Sequence, residues 1–199
     1  MAVPLPFYIR EDDPPAKREI LRATMKLFSE RGLAATSIRD IADESGYTNP
    51  ALYKHFASKE ELALHLFETS HQQIWKSCAA AMDSAKHFEG KLEAYISRWL
   101  ELVDEYPDVH AFLSDSARVL WPKANPKVRR QTMISLARSL VANAPQTRRH
   151  GSTVSPDLVA ASLQGTLAEL ARMIHVGVVE GPATRWKTDL VALFTKLTA

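Results

Sequence analysis

Residues 36–62, TSIRDIADESGYTNPALYKHFASKEEL, contain the start and stop signals of several helices in close succession. Thr36 or Ser37 offers a hydroxyl that can cap a short helix, and Gly46 can adopt the positive φ of the tight turn that ends it. The segment 58–61, Ser-Lys-Glu-Glu, is a capping box that opens a longer helix. Short helices arranged around a tight turn are typical of a helix-turn-helix.

A longer amphipathic helix is predicted ahead of this stretch, over residues 16–31. Its apolar residues recur at helical spacing and form one stripe, at Ile20, Ala23, Leu27 and Phe28. Gly32 stands where a left-handed cap would end the helix. Because the helices that follow are too short to be stable alone, all three must share one small core. The sequence therefore predicts an N-terminal arm over residues 1–15 and a three-helix domain over residues 16–62.

The short helix that begins near Thr48 or Asn49 is the one predicted to face DNA. Pro50 suits its first turn, where a missing N–H costs nothing. If Leu52 and Phe56 are buried, the helical period turns the other side chains of this segment outward. These outward residues are Asn49, Ala51, Lys54 and His55, with Tyr53 on the flank. A short helix with small and polar residues at its N-terminal end fits the major groove, which is about 12 Å wide.

The outward side chains differ in the DNA groups that they suit. Asn49 can pair with adenine, and Lys54 can reach a guanine acceptor or a phosphate. Hydroxyl, N–H and ammonium donors suited to backbone oxygens lie at Thr36, Ser37, Tyr53, His55 and Lys59. Lys59 is the strongest phosphate candidate, because a cation gains little structurally in the first turn of a helix. Three alternatives stay open: Tyr53 as a cover of the core, His55 as a plain surface histidine, and Arg39 as an i,i+4 partner of Asp43.

The same stretch resembles the N-terminal domain of TetR-family regulators. The resemblance is carried by Leu52-Tyr-Lys-His-Phe56 together with Ser58-Lys-Glu-Glu-Leu62. It implies phosphate contacts at Thr36, Ser37, Tyr53, His55 and Lys59, and base contacts at Arg39, Asn49, Ala51 and Lys54, with Thr48 and Pro50 nearby. Thr48-Asn49-Pro50 replaces the commoner Ser-Lys-Gly type of sequence, so no relative's operator can be assumed for this chain.

The rest of the chain, residues 63–199, is predicted to be helical, which makes the fold class all-α. Helices are expected from about 59 to 82, 89 to 105, 108 to 120, 125 to 143, 156 to 179 and 183 to 197. This part is the expected effector-binding and dimerisation domain.

The last two helices are the predicted homodimer interface. Small residues that permit close helix packing recur in the first of them, at Ala160, Ala161, Gly165, Ala168 and Ala171. The resemblance implies the same pairing, through a four-helix bundle. A two-fold dimer would place two recognition helices about 34–36 Å apart, on the halves of a palindromic operator in double-stranded DNA. The alternative is that these helices only close the core of the monomer.

Family members commonly bind a small-molecule effector between their middle helices, and the resemblance implies the same here. Candidate lining residues are Tyr95, Trp99, Phe112, Trp121, Met133 and Met173, with polar groups at His110, Arg118 or Gln164. Plain core is the alternative interpretation of such an aromatic and methionine stripe. Because His110 and His175 lack a paired ligand spacing, neither a metal site nor a cofactor is predicted.

One stretch of the C-terminal part is strongly basic. No acidic residue lies between Asp115 and Asp157, whereas eight cations do: Arg118, Lys123, Lys127, Arg129, Arg130, Arg138, Arg148 and Arg149. A solvated face with a mobile loop is one interpretation. Attraction of an anionic effector or an acidic partner is the other.

Composition excludes several other classes of protein. Hydrophobic residues make up 46% of the chain, and the single cysteine, Cys78, excludes an internal disulfide framework. Residues 1–15 lack the pattern of an export signal, and no window is apolar enough to span a membrane, so a cytoplasmic location is expected. No catalytic constellation, phosphate loop or metal cluster points to an enzyme.

The predicted function is therefore sequence-specific DNA binding by a transcriptional regulator, as a repressor that an effector releases. An activator is one alternative. A helical protein-interaction module that does not bind DNA is the other.

Overall fold

The computed structural model describes residues 5–142, 144 and 155–198, and over these residues the regular secondary structure is helical, which confirms the all-α fold. Ten α-helices are described: α1 Pro15–Ala35, α2 Ile38–Ser45, α3 Asn49–Tyr53, α4 Lys59–Asp83, α5 Phe88–Glu105, α6 Pro107–Leu120, α7 Pro126–Arg130, α8 Met133–Val141, α9 Pro156–His175 and α10 Lys187–Thr198. Two 3-10 turns, Trp121–Lys123 and Ala183–Trp186, precede α7 and α10. None of the described helices combines the length and the apolarity that crossing a membrane requires.

The chain forms two compact units. The first unit comprises Met1–Gln73 with Asp108–Pro126, and the second comprises Ile74–Pro107 with Lys127–Ala199. The boundary expected at residue 62 separates domains by role and stays a prediction, whereas this division by packing places Asp108–Pro126 in the first unit. Its physical reason is aromatic packing within the first unit, where the Phe112 ring stacks on Phe28 at 5.5 Å and meets Phe67 edge-on at 6.4 Å.

The core of the first unit is built from the apolar stripe of α1 and from single anchors on the helices that follow. Fully buried members are Ile20, Leu21, Leu27, Phe28, Ile41, Leu52, Leu62 and Leu66. Gly32 has the positive φ expected of it, 81°, but its ψ of 161° is not that of a left-handed cap, and α1 resumes after it and ends at Ala35 rather than Arg31. The hydroxyl of Thr36 donates to the Gly32 carbonyl at 2.9 Å, which fixes this irregular end.

The second unit packs α5 against α8, α9 and α10. Tyr95, Ile96, Leu163 and Phe194 are among its fully buried side chains. Asp104 on α5 fixes the start of the last helical segment, because its carboxylate accepts hydrogen bonds from the Ala183 amide at 2.5 Å and the Thr184 hydroxyl at 2.8 Å.

The single helix expected over residues 125–143 is wrong, since the structure has α7 and α8 there. The Thr132 hydroxyl accepts a hydrogen bond from the Ser135 amide at 2.8 Å, and this reciprocal cap begins a new helix. The helix expected to reach residue 179 ends at His175, ahead of Gly177, which has a φ of 74°.

Candidate nucleic-acid interface

The connection between α2 and α3 has the geometry of a tight helix-turn-helix. Ser37, not Thr36, caps α2: its hydroxyl accepts from the Asp40 amide at 3.1 Å, and its own amide donates to the Asp40 carboxylate at 2.7 Å. Gly46 ends α2 with a φ of 73°, the left-handed conformation that glycine adopts without strain. The Tyr47 amide then donates to the Ala42 carbonyl at 3.0 Å, which closes the turn.

The orientation of α3 is set by two buried anchors. Leu52 is 1% exposed and Phe56 is 6% exposed. The amides of His55 and Phe56 both donate to the Leu52 carbonyl, at 2.9 and 3.0 Å, so the helical path continues beyond the five residues of α3 itself. One face of this segment is therefore committed to the core.

The opposite face is exposed and carries most of the predicted DNA contacts. Thr48, Asn49, Pro50, Tyr53 and Lys54 are exposed, and Ala51 and His55 are half-buried. Tyr53 is 54% exposed, so it does not cover the core. Arg39 on α2 is also exposed and forms no ion pair with Asp43, the alternative that the sequence left open for this pair of described residues.

Two hydroxyls predicted to contact phosphate are already engaged within the first unit. Thr36 is 1% exposed, with its hydroxyl bonded to carbonyls of α1, so the structure does not offer that hydroxyl to DNA. Ser37 is exposed, but its hydroxyl donates to the Asp40 carboxylate at 2.6 Å. The Ser37 hydroxyl and amide lower the pKa of Asp40, because both donate to its ionised form.

Lys59 has a structural role, contrary to the expectation that a cation gains little structurally in the first turn of a helix. Its ammonium donates to the Leu33 carbonyl at 2.9 Å and to the Thr36 carbonyl at 2.7 Å. It therefore ties the first turn of α4 to the connection between α1 and α2. An ammonium has three N–H donors, so the third is left for a further acceptor, and the phosphate contact stays a prediction.

The nine effector candidates are divided between the two units. Within the first unit, Phe112 is fully buried core, Arg118 is exposed, and Trp121 contacts Phe67 and His71 with ring centroids 6.2 and 5.1 Å apart. Burial lowers the pKa of His110 to about 4. Burial also lowers the pKa of His71 to about 4, and the sequence did not mark His71 as a candidate.

The remaining effector candidates belong to the second unit: Tyr95, Trp99, Met133, Gln164 and Met173. The Tyr95 hydroxyl donates to the Gln164 side-chain oxygen at 2.7 Å. Two polar atoms that the sequence did not single out, Trp75 Nε1 and Ser97 Oγ, are buried there without a hydrogen-bond partner in the described structure. The helical period of the sequence could not identify these two atoms, because what distinguishes them is the lack of a hydrogen-bond partner, which only the structure shows.

The basic stretch is partly neutralised by ion pairs. Lys123 pairs with Glu60 at 2.7 Å in the first unit, and Arg138 pairs with Asp157 at 2.6 Å in the second. Arg148 and Arg149 lie outside the described residues. Across the part of the chain that the structure describes, no group of His, Cys, Asp and Glu side chains could hold a metal ion.

Comparison with known proteins agrees with this arrangement. A family model described as bacterial regulatory proteins, tetR family, matches residues 20–66. The transcriptional repressor KstR2 of Mycolicibacterium smegmatis is 30% identical over 139 residues, which are 65% of this chain and 67% of that protein. KstR2 of Mycobacterium tuberculosis is 31% identical over 102 residues, or 51% of each chain, so this chain spans about half the length of that curated relative.

A solved structure extends the likeness of fold to nearly the whole chain. The ketosteroid transcriptional regulator KstR2 of Mycobacterium tuberculosis superimposes with a TM-score of 0.78 at 21% identity, covering 94% of this chain and 95% of that one. The helix-turn-helix geometry, the match to the family model and the identity to the Mycolicibacterium repressor together lead to one conclusion. The chain belongs to the TetR family of bacterial regulatory proteins.

Proposed function

We propose that the chain is a sequence-specific DNA-binding transcriptional repressor that reads the major groove with α3. The observation that carries this proposal is the division of one short segment into two faces: Leu52 and Phe56 are buried, whereas Asn49, Tyr53 and Lys54 are exposed. A helix whose exposed face begins with small and amide side chains can approach base edges closely. Asn49, Ala51 and Lys54, with Arg39 from α2, are the proposed base contacts.

Phosphate contacts are proposed on either side of α3. Tyr53, His55 and the remaining N–H of Lys59 supply donors at its C-terminal end. On the other side of α3 lies the N-terminus of α2, which is the positive end of the helix dipole and so favours an anion. The Ser37 hydroxyl already donates a hydrogen bond to the Asp40 carboxylate, so it can contact a phosphate there only by sharing or giving up that bond. These contacts would fix the register of α3 without reading sequence.

The proposed repressor acts as a homodimer through α9 and α10. Both helices expose large apolar side chains: Leu158 is 60% exposed, and Leu193 and Leu197 are each 46% exposed. Of the five small residues of α9, Ala161, Gly165 and Ala168 are exposed, whereas Ala160 and Ala171 are buried within the second unit. The exposed three recur at i, i+4 and i+7, so they lie on one helical face that a second copy can approach closely.

A small-molecule effector is proposed to bind in the second unit and to release the DNA. The support is chemical: Trp75 Nε1 and Ser97 Oγ are buried polar atoms without a partner in the described structure, and buried polar atoms are ordinarily hydrogen-bonded. Tyr95, Trp99, Met133, Gln164 and Met173 stay the proposed lining there. The candidates of the first unit, His110, Phe112, Arg118 and Trp121, stay predictions.

DNA selection tests the proposed function. Duplexes retained by the purified chain from a randomised pool would be sequenced, and the affinity for the enriched duplex would be compared with that for a scrambled duplex between 50 and 200 mM salt, roughly the range over which phosphate-dominated binding weakens most visibly. We expect a palindromic consensus, a preference of at least about 1,000-fold, and a steep loss of affinity with salt.

Matched variants separate the proposed surface from general basicity. Lys54→Ala should weaken binding, whereas Lys86→Ala, which removes an exposed cation of the second unit, should not. Recovery of no consensus, or equal binding to scrambled DNA, would refute the proposal and favour a helical protein-interaction module. Stimulation of transcription from a promoter that carries the consensus would identify an activator instead.

A further inference from the structure

The segment ahead of α1 is folded back on the first unit. Tyr8 and Ile9 are 7% and 5% exposed, and the amides of Ile9 and Asp13 donate to the carbonyls of Pro6 and Arg10 at 2.9 and 3.2 Å, which makes two successive turns. This segment, residues 7–13, lies outside the range of the family match, which begins at residue 20. The family match therefore gives no account of how this segment packs.

Asp13 is the polar centre of the segment. It is only 6% exposed, and its carboxylate accepts hydrogen bonds from the Arg10 amide at 2.9 Å and from the Lys17 ammonium at 2.6 Å. The Arg18 guanidinium donates to the Asp13 carbonyl at 2.7 Å. Burial alone would raise the pKa of Asp13, but the donors from Lys17 and Arg10 lower it below its ordinary value, so the carboxylate is ionised at neutral pH.

Lys17 connects Asp13 to an anchor of the DNA-reading segment. Its ammonium, held by Asp13, lies 5.8 Å from the centroid of the Phe56 ring. A cation over an aromatic face is attracted by the negative face of the ring. From α4, the His65 ring contacts Phe56 with centroids 5.4 Å apart. Phe56 is thus held by groups of α1 and α4.

The position of Phe56 matters because α3 is too short to orient itself. Five helical residues cannot form a stable helix in isolation, so tertiary anchors decide the direction of α3. Leu52 and Phe56 are those anchors. Because Tyr53, Lys54 and His55 lie between these two anchors, we expect their side chains to shift when Phe56 is displaced.

We propose that residues 7–13 form a positioning element for α3, which acts from Asp13 through Lys17 on the ring of Phe56. Asp13 and Lys17 are positioning residues: they set the angle at which α3 meets a duplex and do not themselves contact bases. This role rests on the proposed DNA-binding function, and it adds to that function a determinant of affinity that lies before the helix-turn-helix.

Two neighbouring carboxylates provide the test. Asp13→Asn removes the charge that holds Lys17, whereas Asp12→Asn removes an equal charge from the adjacent exposed side chain. Both variants change the overall field at the DNA surface alike, so the difference between them reports on the contact with Lys17. The probe is the enriched palindromic duplex, labelled for fluorescence anisotropy. Amide chemical shifts of residues 49–56, apart from Pro50, which has no amide proton, are recorded in the chain without DNA.

We expect Asp13→Asn to shift the amide signals of residues 49–56 and to bind the duplex about three- to tenfold more weakly than Asp12→Asn, the range that loss of one cation–π contact supports. Lys17→Met, which keeps an apolar stem of similar length, should reproduce both effects. Lys17→Arg, which keeps the positive charge, should retain the amide signals and the affinity of the unmodified chain. The Lys17 variants also decide the matter if Asp13→Asn does not fold.

A purely structural role predicts a different result. In that case Asp13→Asn and Lys17→Met lower the unfolding temperature, but well below that temperature they keep the shifts and the affinity of the unmodified chain. This result would overturn the positioning role and leave the proposed function intact. Failure of the unmodified chain to prefer any duplex would instead overturn the proposed function.

Discussion

Replacing Lys59 by methionine separates the structural role of this residue from its proposed role at DNA. Methionine keeps an apolar stem of similar length but removes the ammonium, and with it the hydrogen bonds to the Leu33 and Thr36 carbonyls at 2.9 and 2.7 Å. Hydrogen bonds that involve a charged group contribute about 1.5–3 kcal/mol. Since Lys59 and Leu33 are half-buried, water can replace part of what is lost, and we expect the free energy of unfolding to fall by about 2 kcal/mol in total.

The same change should alter the dependence of DNA binding on salt. If the third N–H of Lys59 contacts one phosphate, its loss lowers the slope of log affinity against log salt by about one. Lys54→Met is the matched control. Its side chain is exposed and pairs with no acidic residue among those described, so it should reduce DNA affinity while changing stability by less than about 0.5 kcal/mol.

Urea unfolding gives the stability of each variant, and anisotropy titrations at several salt concentrations give the slopes. Lys59→Met with the stability of the unmodified chain would contradict the contact between α4 and the end of α1. An unchanged salt slope, with a normal loss of stability, would show that Lys59 is structural and does not contact a phosphate.

Three further predictions concern base reading, pH and assembly. Asn49→Ala should change the relative affinity for duplexes that differ at one base pair by about 1–3 kcal/mol in competition binding, and unchanged preferences would remove Asn49 from the base contacts. Burial lowers the pKa of His71 from 6.5 to about 4, so the neutral form stabilises the fold above pH 6.5 and this stability is lost as pH falls toward 4, on the order of 3 kcal/mol in urea unfolding. His71→Gln should make that pH profile shallower, with the share of His110, whose pKa burial also lowers to about 4, left in place, whereas His87→Gln, at an exposed position, should not change it; equal profiles for both variants would refute the assignment. Leu193→Asp should give monomers in sedimentation equilibrium with unchanged helix content, and persistence of dimers would place the interface elsewhere.

Local signals in the sequence sufficed to predict the helix-turn-helix. Each of these signals acts within about one helical turn. They are the hydroxyl of Ser37, the glycine at Gly46, and the apolar residues Leu52 and Phe56, which lie four apart. The effects of the Ser37 cap and of the Gly46 turn do not depend on the rest of the chain, because capping and positive φ are properties of a few consecutive residues. Leu52 and Phe56 need partners from other helices, but their spacing alone shows that they share one face. The outward direction of Asn49 and Lys54 follows from the helical period in the same way.

Contacts between residues distant in the chain could not be predicted. The helical period of α4 does not reveal that Lys59 reaches the carbonyl of Leu33. The expectation from the helix dipole, that a cation at this position has no structural role, was therefore wrong. The stacking of Phe112 on Phe28 likewise places α6 in the first unit. The Thr132 cap was locally visible, but the continuous apolar pattern on both sides of it favoured one long helix.

The assignment of α3 to the major groove can be tested directly by the crystal structure of the chain bound to its enriched palindromic duplex. We predict that Asn49, Ala51 and Lys54 face base edges in successive major grooves of the two half-sites, with Leu52 and Phe56 still buried in the protein. A complex in which α3 lies clear of the groove, or in which Asn49 and Lys54 turn into the protein, would contradict the proposed mode of recognition.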